Sequence, residues 1–129
     1  MRVLQIIAPA YRATLEEQDD TVIWFTRALR GAGAQADVLL QCSAVNYAVR
    51  GQDARGLQLG AWQQAHPPDI AGELAALIAG GARVAAVKED LEDRGIAEKQ
   101  LVAGVELLGR RSGGGLFRQY ARIWEWLGV

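Results

Sequence analysis

The sequence predicts an α/β fold, a three-layer sandwich in which five mainly parallel strands carry helices on both faces. Short apolar runs typical of strands alternate along the chain with segments of helical periodicity, which is the pattern of βαβ units. The 129 residues suffice for a core without metals or disulfides, so we expect 1–129 to form one domain. Hydrophobic residues make up 50% and charged residues 22% of the chain, as in ordinary globular proteins.

The first predicted elements are a strand and a capped helix. The apolar run at 3–8 ends before Pro9 and predicts a strand buried on both faces. After a polar segment, Asp19 or Asp20 can accept hydrogen bonds from the first turn of a helix that ends at Gly31. The further predicted elements are strands at 37–41, 83–87, 105–108 and 123–127, and helical segments at 43–49, 70–79, 91–95, 98–103 and 116–120.

The segment 51–68 is the irregular part of the chain. It contains three glycines and the pair Pro67-Pro68, and we predict a long loop without strands or helices there. Loops of this length inside a compact domain are usually functional or mobile. Asp69 follows it as the predicted cap of the next helix.

Charge and cysteine content exclude several classes of function. Fourteen basic and fifteen acidic residues give a net charge of −1, so we expect neither nucleic acid nor a membrane surface as a partner. No apolar run reaches the 18 or more residues of a membrane span. Cys42 is the single cysteine and His66 the single histidine, so no internal disulfide can form and we expect no metal. We also expect no cofactor and a cytoplasmic location.

Ligands of parallel sheets bind beyond the carboxyl ends of the strands, which points to the loops after Ala8, Gln41 and Val87. Cys42 lies at the second of these ends. Helical N–H groups there would favour a nucleophilic thiolate, and the alternative is a small side chain buried in the core.

Two cations near the end of the third long strand are further candidates. Lys88 could hold an anion or act as a nucleophile, or could be a solvated residue paired with an acid. Arg94 could bind an oxyanion, or could pair with Asp90 or Glu92.

Three other features favour structural roles. The basic segment 110–115 precedes a helix but lacks a phosphate-binding fingerprint, which favours a plain turn. His66 has no partner at motif spacing and is expected to be a loop residue. Trp124 and Trp126 alternate on a strand and so share one face; with Trp62 they could cover a subunit interface or pack in the core.

These segments, in this order, resemble the DsrE/DsrF-like family, which includes TusD-type sulfur-relay proteins. The resemblance spans nearly the whole chain and includes the strand Val-Leu-Gln-Ile-Ile-Ala-Pro near the start. Its most specific part lies between Val84 and Val105, where Arg-Gly-Ile is followed by Leu-Val-Ala-Gly-Val. The resemblance implies a five-stranded sandwich that assembles as a homo-oligomer, trimer or hexamer, or as a hetero-oligomer with related subunits.

Active family members carry sulfur as a persulfide on a cysteine before the Arg-Gly motif, and Lys88 occupies that position here. Because lysine cannot hold a persulfide, we expect a non-enzymatic subunit linked to sulfur trafficking that acts through oligomer contacts or by binding a small anion. The expected anion ligands are Lys88, Arg94, Tyr11, Arg12 and Ser43. The alternative is a sulfur carrier whose persulfide has moved to Cys42, with Lys88 supplying positive charge.

Overall fold

The computed structural model describes residues 1–11, 20–52, 56 and 58–127. Its strands and α-helices are, in chain order, β1 (Arg2–Ile7), α1 (Thr21–Gly31), β2 (Gln35–Leu40), β3 (Gln58–Leu59), β4 (Trp62–Gln63), α2 (Ile70–Ala79), β5 (Val84–Val87), α3 (Lys88–Asp93), β6 (Glu106–Leu108), α4 (Gly113–Phe117) and β7 (Arg122–Trp126). Short 3-10 helices lie at Cys42–Ala48, Glu98–Gln100 and Arg110–Ser112. No helix among these residues is long and apolar enough to cross a bilayer.

The main sheet of the described residues has five strands, in the spatial order β6-β5-β2-β1-β7. Every neighbouring pair is parallel, with Ile6 opposite both Leu39 of β2 and Glu125 of β7. The chain moves outward from β1 to β6 and then returns to the far side of β1. This crossover requires helices on both faces, and the predicted fold class is confirmed.

The two faces of the sheet are covered unequally. On the front face, α1, α2 and the 3-10 helix Cys42–Ala48 pack against strand residues such as Val38 and Leu40. On the back face, Leu116 of α4 covers Leu4, Ile6 and Leu39 in a smaller cluster. Most of the apolar burial, which stabilises the fold at about 25 cal/mol per Å², therefore lies in front of the sheet.

Local capping signals were predictable from the sequence. The Oδ1 atom of Asp20 accepts hydrogen bonds from the N–H groups of Val22 and Ile23 at 2.8 and 3.3 Å. Asp69 accepts one from the Gly72 N–H at 3.1 Å, and α2 has the predicted bounds. Asp19, the alternative cap of α1, lies outside the described residues.

Several predicted bounds differ from the structure. The segment 51–68 is not wholly irregular, because β3 and β4 pair as a small antiparallel hairpin. The helix predicted at 98–103 is only the short turn Glu98–Gln100, and α3 begins at Lys88 instead of residue 91. Leu101 pairs as an isolated bridge with Val49, so pairing with another segment replaces the helix there.

Candidate functional site

Cys42 is exposed at the turn where β2 ends and the 3-10 helix Cys42–Ala48 begins. Its φ is +51°, in the left-handed region. A side chain with a Cβ atom costs roughly 1–2 kcal/mol in that conformation, and such residues concentrate at functional sites. The exposure shows that the buried alternative for this thiol is wrong.

Asp90 fixes the backbone of Cys42 from the neighbouring strand end. The N–H group of Cys42 donates to Oδ2 of Asp90 at 2.8 Å. The other carboxylate oxygen, Oδ1, accepts from Nη2 of Arg110 at 2.7 Å. The Asp90 side chain is 9% exposed, so a nearly buried carboxylate joins the chain ends that follow β2, β5 and β6.

Two further hydrogen bonds connect arginine residues with Asp90 and with its neighbour Glu89. Nη1 of Arg94 donates to the backbone carbonyl of Asp90 at 3.1 Å, so Arg94 contacts the main chain of α3. The backbone N–H of Arg110 donates to Oε2 of Glu89 at 2.8 Å. This hydrogen bond lowers the pKa of the Glu89 carboxyl, with a smaller contribution from nearby positive charge.

The other predicted anion ligands lie around this strand end without converging on one point. Nζ of Lys88 lies 4.0 Å from Oε1 of Glu92, and both side chains are mostly exposed. The hydroxyl of Tyr11 donates to the side chain of Gln52, and Ser43 is exposed in the 3-10 helix. Arg12 lies outside the described residues. Anion binding by these residues stays a prediction.

Sequence reasoning missed Asp90 and Arg110 as members of the site. The sequence indicates Asp90 only as a partner for Arg94, and Arg110 only as part of a basic loop. The usable signal was position, since Asp90 closely follows β5 and Arg110 closely follows β6. The carboxyl ends of parallel neighbours meet at one edge of a sheet, which brings these side chains to Cys42.

Trp124 and Trp126 share a face as predicted, and they pack against α1. Trp124 stacks on Phe25 with ring centroids 5.8 Å apart. Nε1 of Trp126 donates to Oε1 of the buried Gln5 at 2.9 Å. Trp62 is separate from them, exposed on β4, while His66 is exposed in the following segment, as expected of a loop residue.

The architecture is similar to that of solved structures. The crystal structure of the YchN protein from E. coli superposes with a TM-score of 0.72, at 21% identity, over 98% of this chain and 100% of that one. The structure of MTH1491, a protein of unknown function from Methanobacterium thermoautotrophicum, gives a TM-score of 0.61 at 18% identity, over 96% and 97% of the two chains. The sequence matches no family model and no curated protein.

These likenesses define the class by its fold. Both neighbours have the DsrE/DsrF-like fold, and this chain shares its five-stranded, mainly parallel α/β arrangement. At 21% and 18% identity the likeness shows the fold and not the activity. Function must therefore be argued from Cys42 and its surroundings.

Proposed function

We propose that this protein takes part in sulfur trafficking and carries sulfane sulfur as a persulfide on Cys42. The observation that supports the proposal is the exposed thiol at a strand-to-helix turn, in a left-handed backbone conformation fixed by Asp90. Strand-to-helix turns present the nucleophiles of some enzymes to their substrates. Sulfur is proposed as the cargo by analogy with sulfur-relay proteins of the DsrE/DsrF-like fold. A reducing compartment such as the cytoplasm would keep the thiol free.

The proposed step is a transfer of sulfur between thiols without net oxidation. The Cys42 thiolate attacks the outer sulfur of a donor persulfide, a new sulfur–sulfur bond forms, and the donor's own sulfur–sulfur bond breaks. The donor leaves as a thiolate and Cys42 becomes a persulfide. An acceptor thiolate reverses these events and releases the Cys42 thiolate, so no cofactor is needed.

Arg110 is proposed to act as a positioning residue in this step. Its guanidinium binds Asp90, whose other oxygen accepts from the Cys42 N–H group. Without Arg110, a nearly buried carboxylate would lie beside Cys42 with its charge less compensated. A nearby negative charge disfavours a thiolate, so loading of sulfur should slow.

The test is intact mass spectrometry during exposure to a low-molecular-weight persulfide. Because Cys42 is the single cysteine, every added sulfur reports on it. We expect one added sulfur atom, formed faster than on an unstructured peptide with an exposed thiol, and none on Cys42→Ala. Loading no faster than on the peptide would overturn the proposal.

Three variants separate positioning from general charge. Arg110→Gln should slow loading severalfold, and Arg111→Gln, which removes the neighbouring exposed charge, should not. The double substitution Asp90→Asn with Arg110→Gln should restore the rate, since both charges are then gone. Equal rates for all three variants would show that Arg110 and Asp90 do not position Cys42.

A second candidate function, an oligomeric subunit, is favoured by the outer edge of the sheet. β7 pairs with β1 on one side, and on its outer side its backbone groups have no strand partner among the described residues. Ile123 is 36% exposed there and Leu127 is 61% exposed. Exposed apolar edge strands are templates for pairing with another chain. We propose that a second copy pairs here, antiparallel through a two-fold axis.

Light scattering coupled to size-exclusion chromatography tests this edge. Ile123→Lys places a charge on β7 and should shift an oligomer to the monomer mass. Leu59→Lys, at an apolar residue of β3 that is 58% exposed, is the matched control and should leave the mass unchanged. A monomeric wild-type protein at high concentration would exclude self-assembly through β7.

A further inference from the structure

A cavity of about 340 Å³ opens at the amino end of the sheet, the end opposite Cys42. Its position follows from its lining, because Arg2 and Gln35 begin β1 and β2 and Arg83 immediately precedes β5. The lining residues are Arg2, Arg30, Gln35, Asp37, Gly81 and Arg83.

Two of the three guanidinium groups are held in place by the fold. Arg30 donates from Nη1 to the carbonyl of Ala36 at 3.0 Å and from Nη2 to the carbonyl of Gly80 at 2.9 Å. Arg83 donates from Nε and Nη2 to the carboxylate of Glu106 at 2.9 and 3.3 Å, and from Nη1 to Oε1 of Gln119 at 3.1 Å. Arginine carries five N–H donors, so both retain further N–H groups for a ligand.

Arg2 is the third cation, and its charge is not compensated by an acid among the described residues. Its guanidinium carbon lies 4.9 Å from the centre of the Tyr120 ring, as a cation over an aromatic face. No hydrogen bond or ion pair of that guanidinium is seen within 1–11, 20–52, 56 and 58–127. The stacking fixes the group without using its N–H donors.

Asp37 is the acid of the lining, and its oxygens already have other donors. Oδ1 accepts from the N–H of Arg83 at 2.9 Å, and Oδ2 accepts from the hydroxyl of Tyr120 at 2.7 Å. Arg30 lies 3.8 Å from Oδ1, an ion pair longer than a hydrogen bond. Because Glu106 compensates the charge of Arg83 and Asp37 lies beside Arg30, the guanidinium of Arg2 leaves the surroundings of the cavity with an excess of one positive charge.

We infer that this cavity binds a phosphate dianion, free or as the monoester of a small molecule. The uncompensated charge of Arg2 favours an anion, and fixed planar guanidinium groups bind phosphate oxygens in pairs. The protein as a whole has a net charge of −1, so the attraction belongs to this cavity and not to a general positive field. The site is independent of Cys42, which lies at the other end of the sheet.

Titration with inorganic phosphate and with glycerol phosphate tests the inference, with binding followed by calorimetry at constant ionic strength. We expect saturable binding of one equivalent for at least one of the two probes. Tighter binding of the ester would identify a phosphorylated small molecule as the ligand, and tighter binding of inorganic phosphate would identify the free ion. Acetate that binds as tightly as both would overturn the assignment to a dianion.

Charge-changing variants locate the binding. Arg2→Gln should weaken it about tenfold, the loss expected for one charged hydrogen-bonding group. Arg27→Gln removes a cation on the same helix as Arg30, outside the cavity, and should have no effect. Gln35→Glu should abolish binding, and Gln35→Lys should preserve it. Binding that is absent in the wild-type protein, or that neither Arg2→Gln nor Gln35→Glu weakens, would overturn the inference.

Discussion

At each end of the sheet, a buried aspartate accepts hydrogen bonds from a backbone N–H group and from a side chain of another segment, but the exposure of these partners differs. At the amino end, the buried Asp37 binds the N–H group of Arg83 and the hydroxyl of Tyr120. At the carboxyl end, the buried Asp90 binds the N–H group of Cys42 and a guanidinium. Each aspartate thus joins elements that are distant along the chain.

The partners differ in exposure. The Tyr120 ring lies partly buried against the back of the sheet, whereas Cys42 is exposed and the Arg110 side chain is 60% exposed. Water can replace a lost partner only where the partner is accessible. One arrangement therefore stabilises the fold at the amino end and positions an exposed thiol at the carboxyl end.

The largest expected difference is in stability. Asp37→Ala should lower the free energy of unfolding by about 3 kcal/mol, because it leaves the partly buried N–H group of Arg83 and the hydroxyl of Tyr120 without their acceptor. Asp90→Ala should cost about 1 kcal/mol, since water reaches the N–H group of Cys42. Urea unfolding followed by tryptophan fluorescence measures both, and equal losses would mean that the two ends contribute alike.

A smaller effect is expected from backbone strain at Cys42. Because glycine adopts a φ of +51° without a Cβ clash, Cys42→Gly should be about 1 kcal/mol more stable than Cys42→Ala. Ser43→Gly, at the next residue, which lacks a positive φ, should be less stable than Ser43→Ala. If glycine gave the same order at both positions, the strain at Cys42 would be refuted.

At the amino end, alkaline pH should weaken the fold. Burial and the hydrogen bond to Asp37 raise the pKa of Tyr120 from 10.0 to about 12, while the charges of Arg83 and Arg2 oppose this. Above pH 10 the unfolded chain loses this proton and the folded protein keeps it, so stability present below pH 10 is lost as the pH approaches 12. Tyr120→Phe should remove this part of the pH dependence of unfolding. Substitution of another tyrosine by phenylalanine should leave it in place.

The smallest stability effect is expected at Arg110. The Arg110 side chain is 60% exposed, so its pair with Asp90 should contribute about 0.5 kcal/mol, and Arg110→Gln should unfold at nearly the wild-type urea concentration. The same variant is expected to slow sulfur loading. A loss of stability as large as that of Asp37→Ala would mean that Arg110 supports the fold instead of the thiol.

Much of the fold could be predicted from the sequence, and less of the site. The apolar runs predicted the five sheet strands to within two residues; for β1, β2 and β5 the reason is burial on both faces, which leaves a continuous apolar signal. The exposure of Cys42 could not be predicted, since a thiol suits a core as well as a surface. Asp90 was predictable as a neighbour of the site, and its hydrogen bond to Cys42, 48 residues away, was not.

The sequence by itself determined the features that depend on adjacent residues. The caps Asp20 and Asp69 act within three residues of their own positions, and strand periodicity is equally local. The tertiary structure alone decided which distant groups meet, such as Tyr120 and Asp37, 83 residues apart. The physical reason is that local patterns specify conformation and burial, whereas a hydrogen-bond partner is set by strand order and register across the sheet.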